Sequence, residues 1–168
     1  MLTEAIRLTL FPAVMAFAAS SDLFTMTIAN RVSLILVGGF VLLAVMTGMS
    51  GAAMLAHAEA GACVLAVTFA FFSFGWIGGG DAKLAAATAL WLGFGHLVEY
   101  LLYASLLGGV LTVLLIQFRA MPMPRLLLGR EWAERLHRRG GGVPYGIALA
   151  AAALLVYPHT EWMTALGF

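Results

Sequence analysis

Long uncharged stretches alternate along the chain with short polar segments. The stretches lack the regular alternation of polar and apolar positions that a membrane barrel shows, which favours helices over strands. A helix that crosses the hydrocarbon core needs about 20 apolar residues, with a range of roughly 17 to 25. By that length the pattern predicts an all-α integral membrane protein, a bundle of about six transmembrane helices. They are expected near residues 5–20, 31–50, 58–77, 82–96, 97–118 and 144–164.

The first stretch has an alternative interpretation as a cleaved signal peptide, because Ala16-Phe17-Ala18 fits a small-x-small cleavage site. Glu4 offsets the charge of Arg7 and weakens the basic region that such a signal carries. We therefore expect a retained helix. The fourth stretch is short, and the turn that ends it is predicted near Gly93, where glycine recurs.

Composition supports lipid as the main solvent of the chain. Of its 168 residues 62% are hydrophobic and 10% are charged, and the mean hydropathy is +0.99. Membrane lipid is therefore an expected partner, nucleic acid is not, and no oligomeric state is indicated. Cys63 is the only cysteine, which excludes an intramolecular disulfide and argues against a cysteine-based zinc site. The histidines lack His-x-x-x-His spacing, so we expect no metal and no cofactor; they are His57, His96, His137 and His159.

Basic residues are concentrated between the fifth and sixth stretches, in a loop at about 119–143 within one predicted membrane domain, 1–168. The arginines of this loop are Arg119, Arg125, Arg130, Arg135, Arg138 and Arg139. The positive-inside rule predicts a cytoplasmic loop. Counting helices back from it puts Arg31 and Lys83 on the same side, leaves Arg7 outside, and puts both termini outside.

Apolar residues recur at helical spacing inside the basic loop, at Leu128, Trp132 and Leu136. This spacing is typical of a helix that lies flat on a membrane surface, here over 125–139. The simpler alternative is a loop that only anchors the topology, and we favour that alternative.

The chain has two aspartates, Asp22 and Asp81, each at the end of a predicted span. The chain crosses the bilayer twice between them, so both carboxylates return to the same side whichever way the protein is oriented. Ionisable residues at membrane depth are costly and often functional. Each aspartate also has an ordinary interpretation: Asp81 as the N-cap of the next helix, and Asp22 as a solvated loop residue.

The surroundings of Asp81 favour a functional pair. Three consecutive glycines precede it, Gly78-Gly79-Gly80, and such a run indicates unusual dihedral angles or the close approach of another backbone. Two carboxylates that lie close together cannot both be ionised cheaply and are expected to share a proton. A shared proton suits hydrolysis, in which one carboxylate accepts a proton from water and the other donates one.

At these residues the sequence resembles the type IV prepilin peptidases, aspartic proteases with a Gly-x-Gly-Asp motif. The motif here is Gly78-Gly79-Gly80-Asp81 with Lys83 two positions later, and Ser21-Asp22-Leu23 is followed by Ile28-Ala29-Asn30. The family typically shows proline at the position of Ala29. Val143-Pro144-Tyr145-Gly146 also looks like the short branch that serves tight-adherence (Flp) pili.

The resemblance implies catalytic roles for Asp22 and Asp81. It implies supporting roles for Gly78, Gly80, Lys83, Ile28 and Asn30. The implied partner is a prepilin, a Flp-like pilin precursor with a short basic leader, a glycine at the cleavage point and an apolar helix after it. Cleavage would occur at the cytoplasmic face of a bacterial inner membrane, with both termini periplasmic. Longer members that also methylate the pilin carry paired Cys-x-x-Cys motifs, which this chain lacks, so N-methyltransferase activity is not expected.

Two other functions compete with this hypothesis. In a transporter or proton-relay subunit, the same aspartates would bind and release protons. A proton relay, however, needs ionisable groups at several depths in the membrane. The even number of crossings between Asp22 and Asp81 places both at one face. In a structural subunit of a pilus or secretion assembly, the aspartates would be helix caps and the arginine loop a docking surface.

Overall fold

The computed structural model describes residues 2–164, and within that range every regular element is helical. The α-helices are α1 (Leu2–Thr25), α2 (Asn30–Met46), α3 (Gly51–Ser73), α4 (Gly79–Ala120), α5 (Glu131–His137), α6 (Tyr145–Val156) and α7 (Glu161–Thr164). Short 3-10 helices occupy Arg125–Leu127 and Tyr157–His159. By length and composition α1, α3 and α4 can each cross a membrane, and α2 and the segment Tyr145–His159 are shorter apolar helices. The prediction of an all-α membrane protein is confirmed.

The fourth and fifth predicted spans form one element, α4, which bends sharply at Gly93. A straight helix of its 42 residues would measure about 63 Å, roughly twice the hydrocarbon thickness. Gly93 has φ 64° and ψ −179°, a backbone region that is essentially restricted to glycine. The two ends of α4 lie at the same end of the bundle, because Asp81 interacts with Asp22 and Arg119 bonds to Gly142. The chain therefore reverses direction near Gly93, where the sequence predicts a turn.

Side chains satisfy the backbone carbonyls that this bend releases. The Nδ1 atom of His57 is hydrogen-bonded to the Leu90 carbonyl at 2.8 Å, and the Trp162 indole donates to the Trp91 carbonyl at 2.8 Å. The Trp91 indole in turn donates to the Leu36 carbonyl at 2.9 Å. Unpaired backbone groups are costly in lipid, so these bonds stabilise the bend at the end of the bundle remote from the aspartates.

Helix α1 runs five residues beyond the predicted limit of residue 20, because its polar residues bond within the helix. Ser20 Oγ donates to the Ala16 carbonyl at 2.8 Å, and Thr25 Oγ1 donates to the Ser21 carbonyl at 2.7 Å. Asp22 therefore lies inside the helix and is 4% exposed, so its interpretation as a solvated loop residue is wrong. The buried face of α1 consists of Phe11, Met15, Ala18 and Asp22.

The basic loop folds back against the ends of α1 and α4. Arg119 donates to the carbonyls of Leu136, Gly141 and Gly142 at 2.8, 2.9 and 2.6 Å. Arg135 donates to the Phe24 carbonyl at 2.9 Å, which attaches α5 to the end of α1. The surface helix considered over 125–139 is shorter in the structure, where the α-helix spans 131–137. Gly129 has φ 78°, which interrupts the helical backbone.

Candidate active site

Asp22 contacts the first turn of α6 through its carboxylate. Its Oδ2 accepts a hydrogen bond from the Gly146 N–H at 2.7 Å, and the Ile147 N–H interacts with the same carboxylate. The N-terminus of a helix carries a partial positive charge and free N–H groups, both of which attract a carboxylate. An aspartate of the first helix thus caps the sixth.

Asp81 lies in the first turn of α4, three positions after the residue that takes the N-cap role considered for it. The N-cap is Gly78, in extended conformation with φ −73° and ψ 146°, and it has no side chain to act as a cap. The Asp81 carboxylate reaches back toward the backbone N–H of Gly78 and interacts with it. This is the arrangement of an acidic residue at the third helical position of a capping box. The Asp81 carboxylate is half-buried, and none of the three glycines before it has a positive φ.

The two carboxylates meet at one end of the bundle, close enough for Asp81 to experience the charge of Asp22. Tight packing between their segments produces this approach. A Cβ atom on Gly80 would lie 3.1 Å from both the Cβ and the carbonyl oxygen of Ile28. Ile28 is 9% exposed, and it packs between the start of α4 and the start of α6. Glycine at position 80 is thus required for the close approach of a second backbone.

The turn between α1 and α2 holds Ile28 in place. Met26 adopts a left-handed conformation with φ 54°, and Ser21 Oγ and Thr25 Oγ1 both donate to the Thr27 carbonyl, at 3.0 and 3.2 Å. Ala29 has φ −67° and ψ 144°, and its φ is the value that a proline ring would impose. The alanine that replaces the family's usual proline therefore preserves the proline-like backbone.

Lys83 and Asn30 bond to each other, since Lys83 Nζ donates to Asn30 Oδ1 at 2.8 Å. Both are exposed, and the bond links the first turns of α2 and α4. They line one end of an open groove of about 580 Å³ between α2, α3 and α4, whose remaining lining is mostly apolar. The described bond of Lys83 is therefore to Asn30, and it joins α2 and α4.

Three of the four histidines lie at the end of the bundle where α4 bends, while His137 lies in α5 and packs on Phe118. His57 is bonded at the bend of α4, and His96 and His159 both lie beside Glu99, at 3.7 and 3.9 Å. Within residues 2–164 no group of three or more His, Cys, Asp or Glu side chains is arranged to hold a metal ion. The described chemistry of the site thus consists of two carboxylates, backbone N–H groups and any water that enters.

Sequence reasoning missed the contribution of α6 to this site. The Gly146 N–H donates to Asp22, yet in the sequence Val143-Pro144-Tyr145-Gly146 indicated only the start of the last span and a likeness to the short branch of the family. A glycine in the first turn of an apolar helix, where propensity disfavours it, was the available signal. The partner of that glycine, 124 positions away, could not be identified from spacing.

A family model described as the type IV leader peptidase family matches residues 9–113 of the chain. The matched range includes both aspartates, the three glycines, Lys83 and the turn around Ile28, and it ends before α5 and α6. No curated protein and no solved structure matches the chain.

Proposed function

Since the chain belongs to the type IV leader peptidase family, which makes it an aspartic peptidase of the membrane, we propose that it removes the leader from Flp-like prepilins. Cleavage takes place at the cytoplasmic face of a bacterial inner membrane. The observation that carries this proposal is that Asp22 and Asp81 lie at the same end of the bundle, where Ile28 packs against both Gly80 and the Gly146 position beside Asp22. Family membership also favours a peptidase over the transport and structural alternatives.

The pair hydrolyses a peptide bond by general acid and base catalysis. The ionised carboxylate accepts a proton from water as the water oxygen attacks the peptide carbonyl carbon. The protonated carboxyl donates its proton to the carbonyl oxygen, which gives a neutral tetrahedral intermediate. As this intermediate collapses, the first carboxyl gives the proton that it took from water to the nitrogen, and the C–N bond breaks to release the amine. The other carboxylate takes back a proton from a hydroxyl of the intermediate, whose carbon becomes the new carboxyl group. One acid and one base suffice, and the two aspartates exchange these roles.

The position of the basic loop supports a cytoplasmic site. Arg119 and Arg135 attach this loop to Gly142 and Phe24, next to the segments that carry Asp22 and its donor Gly146. Arginine-rich loops are retained on the cytoplasmic side. A basic prepilin leader stays on the same side, so the scissile bond and the carboxylates meet there.

The product of the reaction tests the proposal. Purified protein mixed with a Flp-like prepilin is expected to release the leader, and mass spectrometry of the pilin should show a new N-terminus after the leader glycine. That N-terminus should lack a methyl group even when S-adenosylmethionine is supplied. The double variant Asp22→Asn/Asp81→Asn is the blank. Equal cleavage by the blank, or no cleavage by the wild type, contradicts the proposal.

Chemical labelling of cysteine variants tests the proposed orientation of the protein in the membrane. In a Cys63→Ala background, a cysteine at the exposed Arg139 position should react with a membrane-impermeant maleimide in inverted vesicles but not in intact spheroplasts. A cysteine at His159, which is 64% exposed at the opposite end, should show the reverse pattern. If Arg139→Cys reacts in spheroplasts and His159→Cys in inverted vesicles, the aspartates face the periplasm.

A further inference from the structure

We propose that the first turn of α6 is a third part of the active site, in which Gly146 is a positioning residue for Asp22. This inference rests on the proposed function, because it assigns Asp22 a role in the reaction. The Gly146 N–H lies 2.7 Å from Asp22 Oδ2, and the Ile147 N–H interacts with the same carboxylate. Two backbone donors from a helix end fix both the location and the rotamer of a side chain.

Position 146 must be glycine for this arrangement to form. A Cβ atom there would lie 2.8 Å from Asp22 Oδ2, 3.1 Å from Asp22 Cγ and 2.5 Å from Ile28 Cδ1. Separations under about 3.0 Å between non-bonded heavy atoms force something to move, so any side chain displaces the carboxylate from its donor. Glycine costs about 0.5–1 kcal/mol relative to alanine inside a helix, so its placement here serves the approach of Asp22.

The first turn of α6 is itself held in place by the second half of α4. The Tyr145 hydroxyl donates to the Ala104 carbonyl at 3.0 Å, and the Tyr145 ring packs directly on Gly108. On the other side of Pro144, the bonds from Arg119 fix the carbonyls of Gly141 and Gly142. The donor to Asp22 is therefore anchored on both sides and acts as a fixed reference point for the carboxylate.

Positioning of this kind acts on the chemical step more than on substrate binding. A misplacement of about 1 Å at a reacting group can cost up to about 10²-fold in rate. For Gly146→Ala we expect kcat to fall about tenfold and KM to stay within about twofold of the wild type, because Asp22 acts on the transition state. The matched control is Gly109→Ala in α4, a glycine whose added Cβ meets no atom within 4 Å.

Two results would overturn the inference while leaving the proposed function intact. The first is a Gly146→Ala variant with wild-type kcat, measured beside an inactive Asp22→Asn variant. The second is full recovery of kcat in Gly146→Ala/Ile28→Val, compared with Ile28→Val alone. Valine removes the Cδ1 atom that overlaps the new Cβ, so recovery would assign the loss to packing on Ile28 and not to Asp22. If Asp22→Asn retains cleavage, the two-aspartate mechanism fails, and the inference about Gly146 fails with it.

Discussion

Replacing either Asp22 or Asp81 with asparagine is expected to reduce the rate of leader cleavage by about 10³-fold or more. Asparagine keeps the size and hydrogen-bonding shape of the side chain but cannot gain or lose a proton at neutral pH. Because the two carboxylates act as one unit, the double variant should be scarcely slower than either single variant. Rates of product formation with purified proteins in liposomes measure this.

The control for the aspartate variants is Glu59→Gln, the same acid-to-amide change at an exposed residue of α3. This variant should cleave at the wild-type rate. Equal amounts of each protein in the membrane, verified by quantitative blotting, exclude loss by misfolding. Cleavage above about one tenth of the wild-type rate by either aspartate variant would contradict the two-carboxylate mechanism.

Gly80→Ala is expected to reduce the rate of cleavage by about 10²-fold, the largest effect after those of the aspartate variants. The new Cβ would lie 3.1 Å from the Ile28 carbonyl oxygen and 3.3 Å from its backbone nitrogen. Backbone atoms cannot rotate away as a flexible side chain can, so the start of α4 must move off the turn between α1 and α2. That movement separates Asp81 from Asp22, and kcat should fall accordingly.

Gly79→Ala provides a neighbouring comparison within the same glycine run. Its added Cβ would meet only the ring of Phe72, at 3.3 Å or more, and a surface ring can shift to make room. We expect this variant to retain cleavage within about threefold of the wild type. If Gly79→Ala and Gly80→Ala lose equal activity, the glycines matter only because they form the start of α4, and the contact of Gly80 with Ile28 has no special role.

Hydropathy and the even number of predicted crossings between them were enough to predict that the two aspartates lie at the same end of the bundle. The first three uncharged stretches form α1, α2 and α3, the fourth and fifth are joined in α4, and the sixth is divided into α6, a 3-10 helix and α7. The two helices between Asp22 and Asp81 return the chain to the same end of the bundle. The motif around Asp81 predicted unusual dihedral angles or a close backbone approach, and the structure shows the second, in the packing of Gly80 on Ile28. These features depend on local composition and on the length of a bilayer crossing, and both can be read from a sequence.

The remaining features depend on contacts between distant segments. Asp22 looked like a loop residue because serine, aspartate and threonine commonly end helices, but Ser20 and Thr25 bond back to carbonyls one turn earlier and extend α1. Asp81 looked like an N-cap because aspartate is favoured there, yet Gly78 takes that position. The donor role of Gly146 requires knowing which helix packs beside α1, and hydropathy does not specify neighbours.

The hydrogen bond from Gly146 to Asp22 joins residues 124 positions apart, and this separation has a consequence for biosynthesis. During translation, both aspartates and the whole 9–113 region enter the bilayer before residue 146 leaves the ribosome. Until α6 inserts, Asp22 lacks the donor that holds it. We therefore expect a nascent chain stalled before α6 to contain both carboxylates but to cleave more slowly than the chain that includes α6, because Asp22 is not yet held in place.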